Sequence, residues 1–200
     1  ERIISAEAKS NVLVYDLSST DVYPAPSVHM GGSGTWEYMH QTYRQELFVN
    51  GKRQTLARYP NDGFVVYQAT DATTYTSTIH VPDEKFDIWS KHPEDVVVSG
   101  YPGSDWNMFF LASHLVSWNE TTRTLDIVQC PNCHDGDVQI YMLNSLEELD
   151  SPGEYFLDRT TGILYLYPPE DIKTADVEMC TNRNGFISLK NTKYINFENI

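Results

Sequence analysis

The chain has 200 residues, 28 acidic against 14 basic, and a formal charge of -14. A chain of this size buries roughly 70% of its unfolded surface, so a hydrophobic core forms without metal or disulfide staples. The acidity excludes phosphate backbones and anionic membrane surfaces as partners, and no apolar run is long enough for a transmembrane helix.

Aromatic residues make up 12% of the chain, including 13 Tyr and 4 Trp, a mix that suits a β-rich protein. The first residues, "ERIISAEAKS", show no charged-then-apolar export pattern, so any export signal would lie upstream. "SAEAKS" predicts one or two helical turns, and "NVLVYDL" (11–17) predicts the first strand. "GGSG" at 31–34 lacks the Lys-Ser/Thr of a phosphate loop and reads as a flexible surface loop, with Trp36 just beyond it. "LFVNGKRQTLARYP" is a hairpin signal, because Asn50-Gly51 supplies the two positive-φ positions of a type I′ turn.

Further strands are predicted at "GFVVYQA" (63–69), "DVVVSGY" (95–101), "RTLDIVQ" (123–129) and "DVQIYML" (137–143). "DEKFDIWSK" predicts a short helix between the first two of these. The segment "NSLEEL" reads as a capping box, with Asn144 as N-cap and Glu147 three residues on. Glu147, Glu148 and Asp150 are then expected on a solvated turn rather than as a catalytic pair. "EYFLDRTTGILYLYP" is a second hairpin, whose alternation predicts one row inward and one outward. The tail, "GFISLKNTKYINFENI" (185–200), has two short apolar strands about an Asn turn, as in one coil of a parallel β-helix. A single coil cannot bury its own faces.

Candidate chemistry is sparse. Cys130, Cys133 and His134 form C-x-x-C-H, the spacing of covalent haem attachment, and haem would need a second axial ligand from His29, His40, His80, His92 or His114. Zinc would add Cys180, but Cys133 and His134 are adjacent and rarely reach one ion together. A disulfide joining Cys130 and Cys133, with Cys180 odd or an alternative partner, and a plain turn made by Pro131, Asn132 and Gly136 are the remaining readings. Asp135 with Asp137, and Asp62, lack the oxygen series of a calcium loop. Asn119 opens an N-x-[S/T] acceptor sequon for glycosylation. Trp36, Trp89, Trp106 and Trp118 with Tyr59 and Tyr101 offer faces for stacking on sugar rings, although core packing is the commoner fate of a Trp in a β protein; Trp36 and Trp106, in loop sequences, and Tyr101 are the candidate carbohydrate contacts.

The series "LFVNGKRQTLARYPNDGF", "VVVSGYPGSDW", "TRTLDI", "YMLNSLEELDSPGEYFLDRTTGILYLYPPEDI" and "GFISLKNTKYINFENI" resembles secreted right-handed parallel β-helix proteins of the glycoside hydrolase and pectate-lyase-like type. The resemblance implies an all-β fold: a sandwich-like antiparallel region at 1–184, leading at 185–200 into the first coil of a β-helix. It implies a non-catalytic, groove-forming part of a secreted protein acting on extracellular polysaccharide. The relatives' catalytic acids fall outside the matched residues, and no residue here is assigned to them. Expected partners are a glycan and the rest of the β-helix. Relatives have a variable, usually cysteine-free loop where "CPNCH" stands, which speaks against haem, so no cofactor and no metal are expected. The alternative is a structural component of an extracellular surface or filament, as a homo-oligomer bridged by an odd cysteine.

Overall fold

The computed structural model describes residues 1–23, 45–73, 76–101, 111–128, 135–181, 187 and 189–198. Helix α1 (Ala6–Asn11) is capped by Ser5, whose hydroxyl accepts the Ala8 N–H, and is followed by β1 (Leu13–Asp16). The short strands β2 (Leu47–Val49), β3 (Lys52–Arg53), β4 (Thr55–Leu56) and β5 (Arg58–Tyr59) come next. Then come β6 (Val65–Thr70), β7 (Thr76–His80), helix α2 (Asp83–Trp89), β8 (Val97–Tyr101), β9 (Leu111–His114) and β10 (Ser117–Asn119). Strands β11 (Thr124–Val128), β12 (Gly136–Leu143), β13 (Glu154–Leu157), β14 (Ile163–Leu166) and β15 (Val177–Met179) complete the set.

These strands form three sheets. A large one runs β10-β11-β7-β6-β12-β8-β9, with β5 added beside β12. A four-stranded sheet runs β1-β14-β13-β4, and a small one β15-β2-β3. Every described pairing is antiparallel except β4 on β13. The class is therefore all-β and sandwich-like, as the strand pattern predicts. Both hairpins form where expected: Asn50 and Gly51 take φ of 49° and 71° between β2 and β3, and Gly162 takes 79° between β13 and β14. A Cβ on Gly162 would meet the Ser18 Cα at 3.0 Å, so the turn is closed on its neighbour as well as left-handed.

The large sheet has two faces. Its inner face carries Tyr67, Ala69, Ile79, Leu125, Ile127, Val138, Ile140 and Met142, and α2 lies against it through Phe86 and Trp89. Asp83 and Glu84 sit in the first turn of that helix, where the macrodipole favours them, and burying each aromatic contributes roughly 1.5–3 kcal/mol. On the outer face Val97 and Leu143, with the half-buried Tyr141 beside them, pack with Leu47, Leu56, Tyr155, Leu157, Leu164 and Leu166.

Two expectations are corrected. The β13–β14 hairpin has no outward row, because Phe156 and Tyr167 pack on Ala8, Leu146 and Leu149 while Tyr155 and Leu157 face the other core. "NSLEEL" forms a single 3-10 turn over Leu146–Glu148, and its cap contributes no side-chain bond. Asn144 instead takes φ of 60°, donates from Nδ2 to the Asp95 carbonyl at 2.7 Å and accepts from Arg159 Nη1 at 3.1 Å. In the tail, none of the described residues of 187–198 is in a strand, and Ile187, Leu189, Ile195 and Phe197 are about half exposed. These apolar residues face water.

Candidate functional site: an aromatic patch on the outer sheet face

Strand alternation decides which side chains the other end of the outer face carries. In β6, Val65 and Tyr67 turn inward, so Val66 and Gln68 turn outward, with Phe64 preceding them on the same side. In β12 the inward set Val138, Ile140 and Met142 leaves Asp137, Gln139 and Tyr141 outward. In β8 the inward Val98 leaves Ser99 and Tyr101 outward. The registers Val66–Gln139–Tyr101 and Tyr141–Ser99 place these residues in adjoining rows on three neighbouring strands.

The rings meet there. The Phe64 ring centroid lies 5.5 Å from that of Tyr101, inclined at 53°, and 5.6 Å from that of Tyr141, inclined at 50°. The Arg58 guanidinium lies over the Tyr141 ring, 4.1 Å from its centroid, and donates to the carbonyls of Asn61 and Gly63. Phe64 is 41% exposed and Val66 56%. Ser99 is buried on this face, and its hydroxyl has no hydrogen-bond partner among the described residues. Gly100 makes the close approach: with φ of 136°, a Cβ there would run into the Gln139 carbonyl oxygen and lie 2.8 Å from the Ile140 Cα. Only glycine lets β8 hold Tyr101 beside Gln139.

The acidic residues do other work. Glu147 and Glu148, expected on a solvated turn, are buried ion-pair partners instead. Glu148 accepts from Lys85 Nζ at 2.9 Å on both oxygens and from the Trp89 indole N–H at 2.9 Å, and burial raises its pKa against those bonds. Arg2 binds Glu147 at 2.8 Å and Asp95 at 3.2 Å. Burial acts to raise Glu147, but the Arg2 and Ser145 bonds outweigh it and hold the carboxyl below its usual range. Glu154 accepts the backbone N–H groups of Arg58, Asp150 and Ser151, each at 3.1 Å, yet burial pushes it up to about 7. None of these carboxylates reaches the patch, and each is already engaged in holding a turn or helix.

His92, Glu94 and Asp95 bring ligand atoms within 4.8 Å of one another. The Arg2 guanidinium already neutralises Asp95 there, so the donor set does not fit a metal ion.

Of the sequence candidates, Tyr101 joins the patch. Trp36, Trp106, Cys130, Cys133 and His134 lie outside the described residues, and with them the haem, zinc and disulfide readings. Cys180 follows β15 and donates its backbone N–H to the Glu46 carbonyl. Asn119 is exposed, and its Oδ1 accepts the N–H groups of Thr121 and Thr122. Trp89 is core, as expected, while Trp118 is 41% exposed. Phe64, Tyr141, Arg58 and Gln139 were not singled out by sequence. The period-2 pattern of "GFVVYQA" and "DVQIYML" was the available signal, because it separates their outward rows from the core.

A second open surface is aliphatic. Between β1 and β15, Leu13, Val14, Tyr15, Leu17, Leu164, Ile172, Val177 and Met179 line a trough of about 520 Å³. No described helix is long and apolar enough to cross a membrane.

Protein-family models and curated protein sequences give no match to this chain. Among solved structures, a protein titled "Glycoside hydrolase" superposes with a TM-score of 0.55 at 15% identity, over 84% of this chain. The chain spans 28% of that protein's length. At this identity the likeness concerns the fold, which is that of an all-β sandwich-like region within a longer polypeptide.

Proposed function

We propose that the chain is a non-catalytic, groove-forming part of a larger secreted carbohydrate-active protein and that it binds extracellular polysaccharide. The cluster of the exposed Phe64 with the half-buried Tyr101 and Tyr141, beside the exposed Gln139, carries this reading. Aromatic rings beside hydrogen-bonding amides suit the apolar faces and hydroxyl edges of sugar rings. The name of the structural neighbour, of which the chain spans 28%, supports a carbohydrate setting and the presence of catalytic groups elsewhere. On this reading 1–184 is the accessory region and 185–200 begins a β-helix. The half-exposed Ile187, Leu189, Ile195 and Phe197 would become buried once further coils stack on them. On this reading Trp36 and Trp106 are further carbohydrate contacts, and Asn119 carries a glycan in a secreting eukaryote. Cys130 and Cys133 form the disulfide, with Cys180 odd or an alternative partner.

Affinity electrophoresis through gels containing plant, algal or microbial polysaccharides tests the reading. Retardation by at least one polymer, without release of reducing sugar, is the expected result. Migration indifferent to every polymer would refute glycan binding.

The aliphatic trough supports a second reading, a structural component of an extracellular surface or filament. Its lining offers burial but no hydrogen-bond direction, which suits another protein surface. Non-reducing electrophoresis and sedimentation separate the two readings: a cysteine-linked oligomer favours assembly, and a monomer favours the accessory role.

A further inference from the structure

We infer that the polar pocket between β4 and the Ser151–Glu154 turn is a second sugar site, which takes one uncharged sugar unit through a hydroxyl donated to Gln54 Oε1. The site rests on the glycan-binding reading and adds to it a point of contact apart from the aromatic cluster.

A tight turn builds the pocket. The Glu154 N–H donates to the Ser151 carbonyl at 3.2 Å across Pro152 and Gly153, and Gly153 takes φ of 89°, the arrangement of a type II turn. Strand β4 is tied beside it, since the Thr55 N–H donates to the Gly153 carbonyl at 2.9 Å. Glu154 is buried, and its two oxygens accept the N–H groups of Arg58, Asp150 and Ser151, so it holds the turn in shape and is not the group left for a ligand. The enclosed space is about 250 Å³ and is lined by Arg53, Gln54, Thr55, Asn61, Ser151 and Gly153.

Gln54 is the group that the fold leaves unfinished. It is only 6% exposed, and its Nε2 donates to the Lys52 carbonyl at 2.7 Å. That bond fixes the amide, because the flipped form would set oxygen against oxygen. Oε1 then faces Gly153, where a Cβ would lie 3.3 Å from it, and it has no hydrogen-bond partner among the described residues. Buried acceptors are nearly always paired, so a donor entering the pocket relieves a cost already present in the free chain. Size and charge narrow the donor. The volume lies below the roughly 300 Å³ at which sites for drug-sized ligands begin, which suits one sugar ring. Arg53 stands on one side, while Glu154 and Asp150, the latter bonded to Asn61 at 2.8 Å, stand on the other, so neither sign of charge is favoured. A hydroxyl group both donates and accepts, so one ring can donate to Gln54 and accept from the Arg53 guanidinium, which an ammonium group cannot do. Asn61 is also three residues from Phe64, a span of at most about 10 Å, so the pocket adjoins the aromatic cluster.

Nitrogen-15 NMR of the whole chain tests the site. Glucose, galactose, mannose and xylose serve as neutral probes, glucuronate as the anionic probe and glucosamine as the cationic one, each titrated through the millimolar range. At least one neutral sugar should shift the Gln54 side-chain amide and the Gly153 backbone resonance to saturation, with weaker shifts from the charged sugars. Gln54→Met keeps the bulk and removes the acceptor, and it should weaken that binding about fivefold. Melting temperature verifies that the variant is folded, and should it not fold, the titration of the unaltered chain still decides.

No saturating shift of these resonances by any neutral sugar, in a chain that polysaccharide gels still retard, would overturn the pocket and leave glycan binding standing. Tighter binding of glucuronate or glucosamine there, or neutral-sugar affinity unchanged in folded Gln54→Met, would overturn it as well. Indifference to every polysaccharide and every sugar would remove the glycan reading itself.

Discussion

The two faces of the large sheet carry nearly the same ingredients in opposite settings. On the inner face Tyr59 and Tyr67 meet Trp89 with ring centroids 5.8 and 6.4 Å away, and Lys85 Nζ lies 3.3 Å from the Tyr59 ring centroid. On the outer face Tyr101 and Tyr141 meet Phe64, and Arg58 lies over Tyr141. The neighbours Arg58 and Tyr59 on β5 supply one member to each cluster. The inner set is sealed by α2, and its cation is neutralised by Glu148. The outer set is covered less: Phe64 is exposed, and Tyr101 and Tyr141 are half-buried. Three aromatic rings and a cation do not by themselves mark a site; cover and charge balance decide which cluster holds the fold and which can receive a ligand.

The sharpest break in that comparison is Trp89→Ala. It empties the inner cluster and leaves Glu148 without its indole donor, so it should cost about 4 kcal/mol and lower the melting temperature by about 10 °C. Calorimetry checks the loss, and glycan affinity measured well below the new transition should be unchanged.

Titration of Glu154 comes next. Its folded pKa of about 7 lies above the ordinary 4.5, so between those values the folded chain keeps a proton that the unfolded chain has released. Stability therefore falls as pH rises through that window, by about 3 kcal/mol for this group. Urea midpoints at pH 4.5 and 7.5 should show the fall, and Glu154→Gln should remove this component.

Gly100→Ala is the change expected to injure both faces, because it pushes β8 off β12. A cost of about 2 kcal/mol together with weakened glycan retention is expected, from denaturation and affinity gels on one sample. The smallest effect belongs to Phe64→Leu, which keeps apolar bulk but removes the ring. Affinity should fall severalfold, about 1 kcal/mol, with the melting temperature unmoved within a degree or so.

Much of the strand content was legible in sequence, because β6, β8, β11, β12, β13 and β14 each combine β-branched and aromatic residues with turn chemistry at their ends. Strand β7, "TSTIH", was not read, since its outward Thr side chains mask a short inward pair, Ser77 and Ile79. The hairpin at 154–166 was misjudged for a different reason. Alternation states that two rows exist but not that α1, nearly the whole chain away, covers the second. The same holds for Glu147 and Glu148, which look solvated in "NSLEEL" and are claimed by Arg2 and Lys85 from distant segments. At the patch, Tyr101 was among the aromatic residues that the sequence offers for stacking on sugars. Its companions required cross-strand register, which one sequence does not contain.

Strand β1 has a consequence for biosynthesis. Its partner is β14, with Leu13 opposite Leu166, so the strand leaves the ribosome about 150 residues before anything exists for it to pair with. At about 5–20 residues per second that interval is roughly 10–30 seconds. Leu13, Val14 and Tyr15 stay more than 40% exposed even in the finished fold. During the wait they form an adhesive extended segment of the kind that chaperones shield. A chain cut short of residue 163 would keep that segment unpaired, so aggregation of C-terminal truncations is expected to begin from their amino end.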